Sequence, residues 1–391
     1  MSDTRRGGHD LDRLLARHPD IALAEPDSGR PALVRQGQVL VAPHDADTVA
    51  EAARRWLDRR EDRPGACVLR LRGGADPCGI TADLGAYGRG HAVAPNHVLR
   101  AQPLWFSGPW GAPVPAAAVP APTGTAAHHV TVAVPDTGLA AHPWWARRRW
   151  YRDQAGAVDD VPDGDGDGRL DPAAGHGTFV AGIVLRHAPA ARLRAHRVLD
   201  GDGTGDEAAL LDAIADLART PGADVLCVAS GCHTFDDRPS PLLEAAFAGL
   251  GPTCAVVACA GNDGTERPFW PAALDQVIGV AALDGDGRAA FSNHGPWVDA
   301  CAPGVDVTSA FLTFDGDPGF AGYARWSGTS FAAPAVAGAV ADRCARLGEP
   351  VAAAVRAVLD PGAHGVVPGI GVPVAAAEHT GTYPYEPQST G

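Results

Sequence analysis

Four unbroken apolar runs constrain this chain most: HVTVAVPDTG (129–138), ADVLCVASG (223–231), TCAVVACAGN (253–262) and QVIGVAAL (276–283). A strand that is apolar on both faces must be covered on both, as strands of a parallel sheet are. Between the runs, HGTFVAGIVLRHA (176–188) begins a helix and ARLRAHRVLD (191–200) is a further strand. DEAALLDAIADLAR (206–219) has amphipathic helical spacing, and FAAPAVAGAVADRCARL (331–347) is another helix. The alternation predicts an α/β fold of three layers, a mostly parallel sheet covered by helices. Ligands of such sheets sit beyond the carboxyl ends of the strands.

Upstream the pattern changes. Residues 1–30 are charged and weakly patterned, and residues 31–101 read as a small α+β domain. There GQVLVAP (37–43) and ACVLRLR (66–72) are strands, and HAVAPNHVLR (91–100) is a last extended segment. DADTVAEAARRWLDRR (45–60) has helical spacing behind a cap at Asp45 or Asp47. Residues 102–127 are rich in Pro, Gly and Ala without periodicity, a linker or arm. The main domain then spans 128–378, and the polar tail 379–391 reads as disordered.

Charge excludes some partners. The formal net charge is −14 over 391 residues, with all 32 basic residues arginine, which argues against a nucleic acid or an anionic membrane. The stretch WWARRRWYR (144–152) interleaves arginine with aromatics, and in so acidic a chain its tryptophans are expected to cover the domain's flank. The N-terminus carries no apolar run of signal length, so a cytoplasmic, monomeric protein is expected. The eight cysteines form no CxxC pair and read as buried small hydrophobes.

Four short motifs carry chemistry. PDTG places Asp136 just after a buried strand, and GHGT places His176 between two glycines at a helix start. AGND places Asn262 after another strand, where its amide suits an oxyanion, and SGTS places Ser330 at the start of the alanine-rich helix. Singly, each has a plainer reading: a turn Asp, a loop His, a turn Asn, a cap Ser. Together they hold an acid, a base, an oxyanion donor and a nucleophile, in the chain order Asp, His, Ser.

With VACAGNDG, FSNHGPWVDACAPG (291–304), GIGVPVAAAE (369–378) and SGTSFAAPAVAGAVA, these motifs resemble the subtilisin-like serine proteases over residues 128–378. The resemblance implies a serine endopeptidase in which Ser330 is the nucleophile, His176 the general base, Asp136 its orienting partner and Asn262 an oxyanion donor. The chemistry requires no cofactor, and the partner is a peptide or protein substrate. By resemblance, Ala229, Ser230 and Gly231 with Ala260 and Gly261 wall the pocket for the residue before the scissile bond. Phe269 and Trp270 would crowd its floor, whereas Asp263 and Glu266 would favour a basic side chain. Residues 37–101 resemble an inhibitory propeptide, which implies self-cleavage between about residues 99 and 110. The alternative is a catalytically silent scaffold of the same fold.

One insertion stands apart from these motifs. In DGDGDGRLDPAA, the residues Asp163, Asp165, Asp167 and Gly168 match the first half of an EF-hand-type calcium loop. Asp171 falls at its ninth position, but Ala174 stands at the twelfth, where a bidentate Glu belongs. A structural calcium is therefore one expectation and a solvated acidic turn the other.

Overall fold

The structure, a computed structural model, describes residues 5–24, 30–86, 90–101, 111–219, 222–316 and 319–375. The apolar runs become the centre of a sheet with the strand order Val372–Pro373, Ala300–Pro303, Ile278–Asp284, Ala255–Cys259, Val225–Val228, Thr131–Asp136, Arg192–Arg197. All six pairings along that path are parallel. Alternate residues serve opposite cores, as period-2 geometry requires. Val225, Cys227, Val257 and Cys259 face one core, and Leu226, Val228, Val256 and Ala258 face the other.

The first core is closed by the helices His176–His187 and Thr329–Leu347, the second by Glu207–Arg219 and Pro241–Gly249. The three-layer expectation is met. Trp144 and Trp145 are buried in the first core, and the Trp145 Nε1–H donates to the Ala140 carbonyl at 3.0 Å. Seven of the eight cysteines are buried as free thiols and Cys254 is half-buried.

The N-terminal region departs from its sequence pattern in three places. Within residues 1–30 there is a helix, Arg5–Arg17, and a strand, Ile21–Ala24, that pairs with Ala32–Val41. Leu11, Leu14 and Leu15, at helical spacing, pack on Ile21, Leu33 and Val98. The helix expected over 45–60 ends at Ala52, and Leu57–Asp62 is an edge strand on Cys67–Leu71. Its sequence, LDRRED, carries charge at five of six positions, which suits an exposed edge and leaves no alternation to read. Pro77–Ala86 is a helix with two interior glycines that periodicity does not mark. In the arm, Val114–Pro115 pairs with Phe320–Trp326, and the tail 379–391 lies outside the described residues.

This N-terminal domain sits on the Glu207–Arg219 helix. Gly65 is indispensable there, because a Cβ on it would lie 2.3 Å from the Leu211 carbonyl oxygen. The Arg63 Nε–H and the Gly65 N–H both donate to the Asp212 carboxylate at 2.8 Å. Leu40, Val68, Ala94 and Leu99 share one core with Leu210 and Leu211. The strand Val93–Arg100 then pairs antiparallel with Thr204–Asp206 of the main domain.

Candidate active site

Asp136 is the last residue of its strand, at the carboxyl edge of the sheet and fully buried. A carboxylate only accepts, so the His176 Nδ1–H donates to Asp136 Oδ1 at 2.8 Å and Oδ2 at 3.0 Å. The Thr137 N–H donates to the same Oδ1 at 2.7 Å, fixing the carboxylate from the backbone. Two glycines make this approach possible. Gly175 has φ +80°, and a Cβ there would lie 2.5 Å from the Phe311 ring. A Cβ on Gly177 would lie 2.3 Å from the Gly138 carbonyl oxygen and 3.0 Å from Asp136 Cβ.

His176 Nε2 is buried and has no hydrogen-bond partner among the described residues. Its ring packs against Trp326, at 5.5 Å and 85°, and Phe331, at 5.3 Å, which also touch each other at 5.1 Å. Phe331 follows Ser330, which brings the nucleophile candidate to the same place. The Ser330 hydroxyl, however, donates to the Ala229 carbonyl at 2.9 Å and is not bonded to His176. The hydroxyl must leave Ala229 before it can donate to the imidazole.

Asn262 is clamped. Its Oδ1 accepts from the Thr329 N–H at 2.8 Å and the Thr329 hydroxyl at 2.9 Å. The side-chain amide is thereby oriented, leaving Nδ2 as its donor. Thr329 Oγ1 also accepts from the Gly261 N–H at 3.1 Å, tying the strand end to the start of the Ser330 helix. Ser330, Asn262, Gly261, Gly231 and Phe269 line one cavity, together with Arg100 and Ala101 of the N-terminal domain.

Of the expected pocket walls, Gly231 presents its backbone: its N–H donates to the Arg100 carbonyl at 3.1 Å, and its carbonyl accepts from the Arg100 N–H at 2.8 Å. The Ala101 N–H donates to the Gly203 carbonyl at 3.0 Å on the opposite edge. Ser230 Oγ is buried without a partner among the described residues. The Ala260 carbonyl is taken by Asn293 Nδ2 at 2.8 Å, so Ala260 supports the wall from behind.

Three residues that the motifs did not single out complete the site. Thr329 clamps the amide, and Thr137 Oγ1 accepts from the Gly177 N–H at 3.1 Å. Asp160 Oδ2 accepts from the Thr137 hydroxyl at 3.1 Å and the Gly175 N–H at 2.9 Å. Asp160 therefore staples the turn after Asp136 to the turn before His176. Its Oδ1 is buried without a partner among the described residues. Burial pushes the Asp160 carboxyl up to about 6; the Asp136 charge adds to this, and the Thr137 bond opposes it.

The acidic insertion is only half the expected loop. Asp163, Asp165 and Asp167 bring carboxylate oxygens within 4.8 Å of one another. Asp171 is apart from them, buried, accepting from the Gly164 N–H at 2.8 Å and from Arg17 Nη2 at 2.7 Å. Arg17 also pairs with Asp165 at 3.1 Å. These three carboxylates could hold a cation whose shell is completed by backbone carbonyls and water, whereas Asp171, at the ninth position, is bonded to Arg17 instead.

Residues 127–363 match the subtilase family, Peptidase_S8. A thermophilic serine proteinase of Bacillus sp. (strain AK1) is 41% identical over 177 residues, 42% of this chain and 41% of its own length. Subtilisin BL of Lederbergia lenta is 35% identical over 244 residues, 60% of this chain and 82% of its own. Thermitase of Thermoactinomyces vulgaris is 34% identical over 219 residues, 53% of this chain and 72% of its own. The crystal structure of a cold adapted subtilisin-like serine proteinase superposes loosely, with a TM-score of 0.49 and 23% identity over 63% of this chain and 88% of that one. With Asp136, His176, Asn262 and Ser330 gathered at the carboxyl edge of the sheet and the match spanning most of that domain, the chain belongs to the subtilase family of serine peptidases.

Proposed function

We propose that this peptidase is an Asp136–His176–Ser330 endopeptidase held shut by its own N-terminal domain. The observation that carries the reading is the bidentate Asp136–His176 contact, which fixes the imidazole with Nε2 unpartnered beside the Ser330 helix. Ser330 Oγ leaves Ala229, gives its proton to His176 Nε2 and attacks the scissile carbonyl carbon. The resulting oxyanion accepts from Asn262 Nδ2 and the Ser330 N–H, which at a helix start has no intrahelical acceptor. As the C–N bond breaks, His176 returns the proton to the leaving amine. Water then repeats the sequence on the acyl-enzyme and frees Ser330. Asp136 stabilises the imidazolium without taking its proton.

Inhibition follows from position. Arg100 and Ala101 occupy the backbone groups of Gly231 and Gly203 that an extended substrate would use. The pairing is directed into the cavity lined by Ser330. Most of the region expected to be cut, residues 102–110, lies outside the described residues. The test is the intact mass of wild type beside Ser330→Ala. Loss of about the first hundred residues in wild type alone is the expected result. If both chains stay whole and a fluorophosphonate fails to label Ser330, the reading is wrong.

A further inference from the structure

The cavity beside Ser330 is blocked from below by Phe269. Its ring is wedged between the two backbone walls: a Cβ on Gly231 would lie 2.4 Å from Cε1, and a Cβ on Gly261 would lie 2.9 Å from Cγ. Both walls are thus already in contact with the ring, and both positions must be glycine to admit it. The ring cannot readily swing aside. His233 packs edge-on against it at 5.2 Å and 78°, and His233 Nδ1 is itself bonded to the Pro268 carbonyl at 2.8 Å. The neighbouring Trp270 exchanges both backbone hydrogen bonds with Cys232 at 2.8 Å.

Asp263 lines the same cavity. Asp263 turns its carboxylate to His233 Nε2 at 3.4 Å, and Glu266 is exposed on the surface facing His294 at 3.4 Å. A substrate side chain entering this pocket meets the Phe269 ring, with the Asp263 carboxylate held toward His233.

We infer that Phe269 is the specificity-determining residue of this peptidase, and that its substrates are peptides with a small residue (Gly, Ala or Ser) before the scissile bond. The inference rests on the serine-peptidase reading above. With the scissile carbonyl between Ser330 and Asn262 Nδ2, the preceding side chain enters the space between Gly231 and Gly261, whose depth Phe269 takes up. A methyl group fits above the ring, whereas an aromatic side chain meets it.

The test uses the full-length chain after incubation in which it processes itself, checked by intact mass, and two tetrapeptide anilides that differ only in carrying Ala or Phe before the leaving group. One methylene in a pocket is worth about 10–200-fold, so kcat/KM for Ala should exceed that for Phe by at least about 100-fold. In Phe269→Gly the ratio should fall at least about tenfold, because the Phe substrate gains room. A wild-type ratio near one overturns the inference, as does a variant ratio equal to wild type. The wild-type ratio stands even if the variant does not fold. Fluorophosphonate labelling of the same samples separates the two levels: unlabelled Ser330 refutes the peptidase reading, and labelled Ser330 with a flat ratio refutes only the role of Phe269.

Discussion

Asp160 offers a test of the site's electrostatics that needs no turnover. Its carboxyl titrates near 6 in the folded protein, against an ordinary value of 3.8. A raised acid pKa means that the folded state holds a proton the unfolded chain has lost between those two values. Stability contributed by the protonated form is therefore lost as pH rises through that window. The shift of about 2 units at 1.36 kcal/mol each sets the penalty at about 3 kcal/mol above pH 6. An asparagine side chain in its place cannot ionise, yet its amide oxygen can accept from Thr137 and Gly175 as the protonated acid does. Asp160→Asn in a Ser330→Ala background, which prevents self-digestion, should thus melt close to the parent at pH 4 and above it at pH 7.5. At about 2.1 cal/mol/K per residue, 3 kcal/mol over this chain corresponds to about 3–4 °C. Calorimetry of both proteins at the two pH values gives a double difference in which titrating groups that do not interact with Asp160 cancel, leaving Asp160 and its coupling to Asp136 and His176. If the variant is shifted equally at both pH values, or loses ground at pH 7.5, the buried-carboxylate argument fails.

Removing the oriented amide should act on chemistry alone: Asn262→Ala is expected to lower kcat by about 10²–10³ with KM little changed and the fold intact. Steady-state kinetics with circular dichroism checks it, and unchanged turnover would take Asn262 out of the mechanism. Gly65→Ala places a Cβ against the Leu211 carbonyl and should push the N-terminal domain off its helix. The full-length variant should show higher basal activity or faster self-processing than wild type; equal rates would mean that this contact does not hold the inhibitor in place. Because Arg17 already pairs with Asp165 and Asp171, EGTA should leave the melting temperature of the Ser330→Ala chain within about 1 °C. A fall of several degrees would show that the acidic loop holds a cation.

How far the sequence can be read tracks how local each constraint is. The central strands are legible because burial on both faces forces an unbroken apolar run, and Val225–Val228 has no polar residue to obscure it. The edge strand Leu57–Asp62 carries the opposite demand, charge toward water, and its pattern reads as the end of a helix. Asp136, His176, Asn262 and Ser330 are legible because each lies in a short motif at the end of an element (a strand end, a pair of glycines, a helix start), although their partners are 40 to 101 residues away. Asp160 is not, since its partners Thr137 and Gly175 lie 23 and 15 residues away and only the folded turn brings them together. The pairing of Asp171 is hidden for the same reason, because its partner Arg17 is 154 residues distant. Phe269 sits between these cases. Its proximity to the pocket can be read, but its packing against His233 cannot, since no spacing in the sequence encodes it. Specificity here is a property of contacts between loops, whereas the reaction itself is written in the ends of the sheet.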